Sequence, residues 1–314
     1  MPVTLLDLAR PAAWSPWWAA VSLLVGLSAC GFVIALPGRA FGLPRWQRAS
    51  RLGLLLALAA GLAAPFSMLA ALARPDRVWL LHTQSDGASW LATSIWLVPA
   101  YLAALVVFAW TTLRRDFGAA EGTGWLSRLH RVLAIGGGGA PGLRQVAMFA
   151  AGGLAIALML AAAAELRLAW TSPLLPWHLA LTALAGALGA VLVLDRVMPG
   201  KRDLATTVLL ARIAAGVLAL GMALGRESWD SPAIAAGGWA IVLALGWADR
   251  LGWLAGLLIL AASWVVRWSL VSPGAEWGGD RLLAPLGMVG LLLVLLVAIA
   301  ALAPVLGPRR VETQ

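Results

Sequence analysis

The residues able to move protons gather in two places along this chain. Between Arg74 and Tyr101 (RPDRVWLLHTQSDGASWLATSIWLVPAY) stand His82, Asp76 and Asp86, with the guanidiniums of Arg74 and Arg77 and the indoles of Trp79, Trp90 and Trp96. The second group comprises Glu165, Arg167, Trp170 and, behind Pro176 and Trp177, His178. Imidazole, with an unperturbed pKa near 6.5, and carboxylates are the side chains that accept protons near neutral pH. Guanidiniums supply hydrogen-bond donors, and indoles supply flat apolar faces. Quinol oxidation releases two protons with two electrons, so a quinone site needs such acceptors beside an apolar ring slot. His82, Asp86, Trp90, Glu165 and His178 are the residues this chemistry selects. Each also has a plainer reading. His82 can be a solvated loop residue, His178 a hydrogen-bonded residue at a helix start, and the tryptophans a belt at the membrane–water interface.

The elements that must position these residues are apolar. The chain has 314 residues, 61% hydrophobic and 12% charged, with a mean hydropathy of +0.88. The apolar residues come in runs of about 20, enough to cross roughly 30 Å of hydrocarbon as helices. The dyad alternation of a β-barrel is absent. The expected fold is an all-α polytopic membrane protein of about nine spans: 17–37, 52–73, 91–113, 144–166, 175–195, 204–224, 232–248, 251–271 and 281–306, the seventh being the shortest. The sequence pI of about 11.5 does not argue for nucleic acid, because 22 arginines and one lysine lie scattered through the connections.

Their distribution sets the orientation. The connections 38–51, 114–144, 196–203, 249–250 and the tail from 307 carry 15 basic and six acidic residues, counting Asp195 at a boundary, against six and eight at the other end. Positive residues are retained in the cytoplasm. The N-terminus is therefore expected in the periplasm and the C-terminus in the cytoplasm, which puts both proton-active groups on the periplasmic side. Arg212 and Arg267 are left inside spans, where a buried charge faces protein or a cavity. They are candidates for an intramembrane polar path; alternatively Arg212 bridges to a neighbouring helix and Arg267, near a span end, snorkels outward.

Other features point away from further chemistry. Cys30 is the single cysteine, so the chain forms no internal disulfide and holds no iron–sulfur centre of its own. Leu27-Ser28-Ala29-Cys30 resembles a lipoprotein cleavage box. The apolar run nevertheless continues to Pro37, and no basic region precedes it, so the segment reads as a retained helix. No pair of histidines sits on facing spans to ligate haem. In the longest connection, Trp125, Leu126, Leu129, Val132 and Leu133 recur at helical spacing opposite Arg128 and Arg131, as in a helix lying on the membrane. The following Gly136–Gly139 run lacks the preceding strand of a phosphate-binding loop and reads as a flexible link.

Two short motifs add to this. Ala73-Arg74-Pro75-Asp76-Arg77-Val78-Trp79, followed by Ala88-Ser89-Trp90, resembles the Gly-Arg-Pro-x-Arg-x-Trp … Ser-Trp loop of the NrfD/PsrC family. Thr171-Ser172-Pro173-Leu174-Leu175-Pro176 resembles that family's Ser/Thr-Pro-Leu-Leu-Pro segment before span five. Gln84-Ser85-Asp86-Gly87 departs from the family's usual Ser-Pro-Met. The resemblance implies an eight-helix core of two four-helix bundles over residues 1–272, with 273–314 an added helix and tail. It also implies a bacterial inner-membrane subunit that exchanges electrons between quinone or quinol and a four-cluster, ferredoxin-like iron–sulfur subunit, beside a molybdopterin catalytic subunit, both periplasmic. In that setting Arg74, Arg77, Arg167 and Arg281 face the partner or the quinone carbonyls. Iron–sulfur clusters and molybdopterin reside in the partners, and no haem is expected here. Two other readings fit the same composition: a proton or small-solute transporter, and a scaffold whose partner makes the quinone site.

Overall fold

The computed structural model describes residues 16–71, 90–118, 141–166, 173–198, 202–224, 231–271 and 290. These form helices and no strand among the described residues. The helices are α1 (Pro16–Arg39), α2 (Gln47–Ala71), α3 (Trp90–Gly118), α4 (Pro141–Leu166), α5 (Leu175–Val197), α6 (Leu204–Leu224), α7 (Ser231–Gly246) and α8 (Ala248–Val271). Seven are long and apolar enough to cross a membrane. The remaining one, α7, has 16 residues, or about 24 Å at 1.5 Å per residue. The first eight expected spans thus correspond to the eight helices. The expected ninth span (281–306), the surface helix around Trp125–Leu133 and the glycine run lie outside the described residues.

Helices α1 to α4 pack as one group and α5 to α8 as another. The groups meet because α1 touches α5 and α8, α2 touches α5, and α4 touches α5. Consequently α1, α2 and α5 are mostly buried, while α3, α4 and α6 present broad apolar faces outward. In a bilayer those faces meet lipid. With no hydrophobic drive between helices in lipid, close backbone packing holds them together, and small residues permit it. Each group has one such crossing. A Cβ on Gly31 would lie 2.9 Å from the Gly53 carbonyl oxygen between α1 and α2, and one on Gly256 would lie 2.5 Å from the Gly189 oxygen between α5 and α8.

The turn from α1 into α2 shows how a proline is absorbed. Pro37 lies inside α1 and donates no N–H. One residue on, the Ser50 hydroxyl inserts into the helical ladder: it accepts from Gly38 N–H at 2.8 Å and donates to Ile34 C=O at 3.0 Å. Gln47 Nε2 donates to Gly38 C=O at 2.8 Å. A 3-10 turn over Pro44–Trp46 then leads directly into α2.

Candidate functional site

Sequence alternation and side-chain contacts sort the helix ends into two faces. Helix α1 begins, α5 begins, α6 ends and α8 ends on one face, as the hydrogen bonds of Ser22, His178, Gly221 and Arg267 require. A polar seam runs through the apolar packing there. Helix α5 brings His178 inward two residues after Pro176, and the buried ring's Nδ1 lies 2.9 Å from the Gly221 carbonyl oxygen of α6. A carbonyl only accepts, so Nδ1 carries the proton, and in the neutral ring Nε2 is an acceptor. Thr182 Oγ1 donates to His178 C=O at 2.8 Å, and Ser263 Oγ of α8 donates to Thr182 C=O at 3.0 Å.

Arg267 sits in this seam. It is 1% exposed; Nη1 donates to Ser22 Oγ of α1 at 2.8 Å and Nη2 donates to Leu179 C=O of α5 at 2.5 Å. Its Nε is buried and has no hydrogen-bond partner among the described residues. Gly26 makes the room: a Cβ there would come within 3.4 Å of Nη2 and 2.7 Å of the Ala183 Cβ. The side chain therefore does not snorkel outward. Two helices supply acceptors at depth, and the guanidinium turns into the junction of the two groups. On the side of α1 that faces α2, Ser28 Oγ donates to Ala57 C=O at 2.7 Å. With its one proton used, it accepts from the Tyr101 hydroxyl at 2.9 Å.

The opposite face is rich in arginine. Arg48 of α2 forms an ion pair with Asp195 of α5 and donates to Asp195 C=O and Met198 C=O, both at 3.1 Å. One side chain thereby caps the end of α5 and ties the two groups together. Thr207 Oγ1 of α6 donates to the other Asp195 oxygen at 3.0 Å. Asp203 caps α6: its Oδ1 accepts from Ala205 N–H at 3.2 Å, and its Oδ2 accepts from the Thr206 hydroxyl. The Thr206 hydrogen bond is the main reason that the Asp203 carboxyl is held below the usual carboxylate range, with the Ala205 N–H and the nearby Arg45 adding to it.

The residues singled out from sequence fall as follows. His178 is buried in the seam. Trp90 opens α3 and Glu165 lies in the last turn of α4, on the same face by the alternation of helices, but their side chains lie outside the described residues. His82, Asp86, Arg74, Arg77, Arg167 and Arg281 also lie outside them. Arg212 occupies the face of α6 turned away from the described helices and is exposed, so it does not join Arg267. No group of three metal-ligating side chains occurs among the described residues. Sequence reasoning missed the contributions of Ser22, Ser28, Tyr101, Thr182 and Ser263, single hydroxyls that carry no spacing signal. It counted Arg48 and Asp195 merely as boundary charges.

Known proteins bear on this arrangement. A stretch of 107 residues, 34% of this chain, is 31% identical to a protein of Halobacterium salinarum (strain ATCC 700922 / JCM 11081 / NRC-1) whose name is that of a dimethyl sulfoxide reductase membrane subunit. That stretch spans 25% of the relative's own length. Residues 4–272, from the region before α1 to the end of α8, match the family described as polysulphide reductase, NrfD. With eight apolar helices in two groups of four among the described residues and a match over most of its length, this multi-pass membrane protein belongs to the NrfD polysulphide reductase family.

Proposed function

We propose that this chain is the membrane anchor subunit of a molybdopterin oxidoreductase complex of the bacterial inner membrane. In this reading it passes electrons between membrane quinone or quinol and a ferredoxin-like iron–sulfur subunit on the periplasmic side. The family match over residues 4–272 carries the reading, and the name of the Halobacterium salinarum relative agrees with it. Iron–sulfur clusters and molybdopterin, in the partners, supply the redox chemistry beyond the membrane.

The chain's own residues take up protons and hold a ring. His82, Asp86, Glu165 and His178 accept the two hydroxyl protons as two electrons leave toward the partner. Of these, His178 donates Nδ1–H to Gly221 C=O, so in the neutral ring Nε2 is the acceptor atom. Trp90 and apolar helix residues flank the ring, and the isoprenoid tail leaves between helices into lipid. Arg74, Arg77, Arg167 and Arg281 meet carboxylates of the partner or quinone carbonyls. The protons are released outside. A partner that reduces its substrate on the same side consumes them there, and the cycle then moves little net charge.

The test is His82→Ala in the assembled complex. Quinol-dependent turnover should fall by about tenfold or more, the low end of what a placed acid–base group contributes. Reduced dyes that feed the partner directly should still drive turnover. Unchanged quinol turnover would remove His82 from the site, and the same result for His178 and Glu165 would move the site elsewhere.

A further inference from the structure

The arginine-rich face, opposite the seam of His178 and Arg267, holds a pocket of about 270 Å³ between the end of α5 and the beginnings of α6 and α8. Arg196, Arg202 and Arg250 line it, with Asp195 and Asp249. Asp195 is already neutralised by Arg48, which leaves Asp249 as the one uncompensated carboxylate among the described lining residues. Arg202 uses one N–H on Arg196 C=O, at 2.8 Å, out of the five a guanidinium offers. Neither Arg196 nor Arg250 forms an ion pair among the described residues. The helix N-terminus at Leu204 adds positive potential to the same space. The apolar part of the lining is Leu192, Leu204, Ala248 and Trp253. Leu204 is 57% exposed, and Trp253 and its neighbour Trp247 are also open to the surroundings.

Arginines lining one pocket together with apolar and tryptophan side chains fit an amphiphile better than a soluble anion. Basic pockets between membrane helices recognise anionic headgroups, and indoles sit at headgroup level. We propose that this pocket binds the phosphodiester headgroup of an acidic phospholipid: Arg196, Arg202 and Arg250 hold the phosphate, and Leu204 and Trp253 lie along the start of the acyl chains. Asp249 opposes the phosphate and limits its affinity.

The experiment follows thermal unfolding of the purified full-length protein in neutral detergent while phosphatidylglycerol, phosphatidylcholine or inorganic phosphate is titrated in. Phosphatidylglycerol should raise the Tm saturably, with phosphatidylcholine and millimolar phosphate giving little or no rise. Near a membrane surface one basic residue contributes about fivefold in affinity, so Arg196→Gln with Arg250→Gln should weaken the phosphatidylglycerol response by about thirtyfold. Asp249→Asn should strengthen it, and this variant decides the matter should the arginine variant fail to fold. An equal rise with phosphatidylcholine, or a response that neither the arginine pair nor Asp249→Asn changes, would overturn the proposal. Phosphate alone reproducing the rise would overturn it in favour of a soluble anion.

Discussion

Arg267 is the residue whose chemistry most exceeds its apparent need. A guanidinium fully withdrawn from water, with a hydroxyl and a carbonyl as hydrogen-bond acceptors, keeps much of its desolvation penalty. Replacing buried ionic groups with apolar side chains of similar volume is often neutral or stabilising. Leu179 C=O also accepts from Thr182 Oγ1, at 3.2 Å, so it is not orphaned when the arginine goes. Arg267→Met should therefore leave the Tm of the purified protein unchanged or higher; a fall of many degrees would make the guanidinium a structural tie instead. Asp203 gives a pH-dependent counterpart. Its pKa in the folded chain is depressed, chiefly by the Thr206 hydroxyl, so its charge stabilises above the unfolded carboxylate pKa. That contribution is lost as the pH falls through the folded value. Asp203→Asn should lower the Tm at neutral pH, and the gap from wild type should close as the pH falls through the carboxylate range.

At the scale of elements, the apolar runs were legible and the contacts between them were not. Length and hydropathy locate eight helices because a helix crossing lipid must satisfy every backbone group internally, so its sequence is apolar without interruption. Which faces meet is decided by features that look ordinary in sequence. Gly189 and Gly256 read as two more glycines among 34, yet each would drive a Cβ into the other's carbonyl. Gly256→Val should cost about 1–3 kcal/mol, as overpacking of a filled interior does. A lowered Tm with the α-helical circular dichroism retained would show it. Arg48 and Asp195 were hidden differently: each ends a span, where charge is expected on topological grounds alone, so their partnership was visible only once α2 and α5 stood side by side.

For the molecule as a whole, the charge asymmetry of the connections predicts orientation without any knowledge of packing. Reporter fusions after Gly87 and after Gly307 should report opposite compartments, periplasm and cytoplasm respectively; matching signals would undo the placement of every candidate proton acceptor. Family membership was also legible in sequence, in the Arg74–Trp79 and Thr171–Pro176 motifs. The proposed quinone set rests on residue chemistry alone. Its members occur in separate connections and helix ends, and sequence spacing carries no distance between them.

The hydrogen bond from Arg267 to Ser22 joins residues 245 positions apart, which makes it an event in time as well as in space. At roughly 5–20 residues per second, a ribosome needs on the order of ten to fifty seconds to pass from one to the other. During that interval α1 is already in the membrane with α2, while its side facing α5 and α8 waits for partners made much later. The first helix is thus among the last to be sealed, and the closing contact arrives with a charged residue that membrane insertion disfavours. A chain released before α8 would leave Gly26 and Ser22 open to lipid. The cell's membrane proteases and insertases would then meet an unfinished groove on the oldest helix, which only the arrival of Arg267 closes.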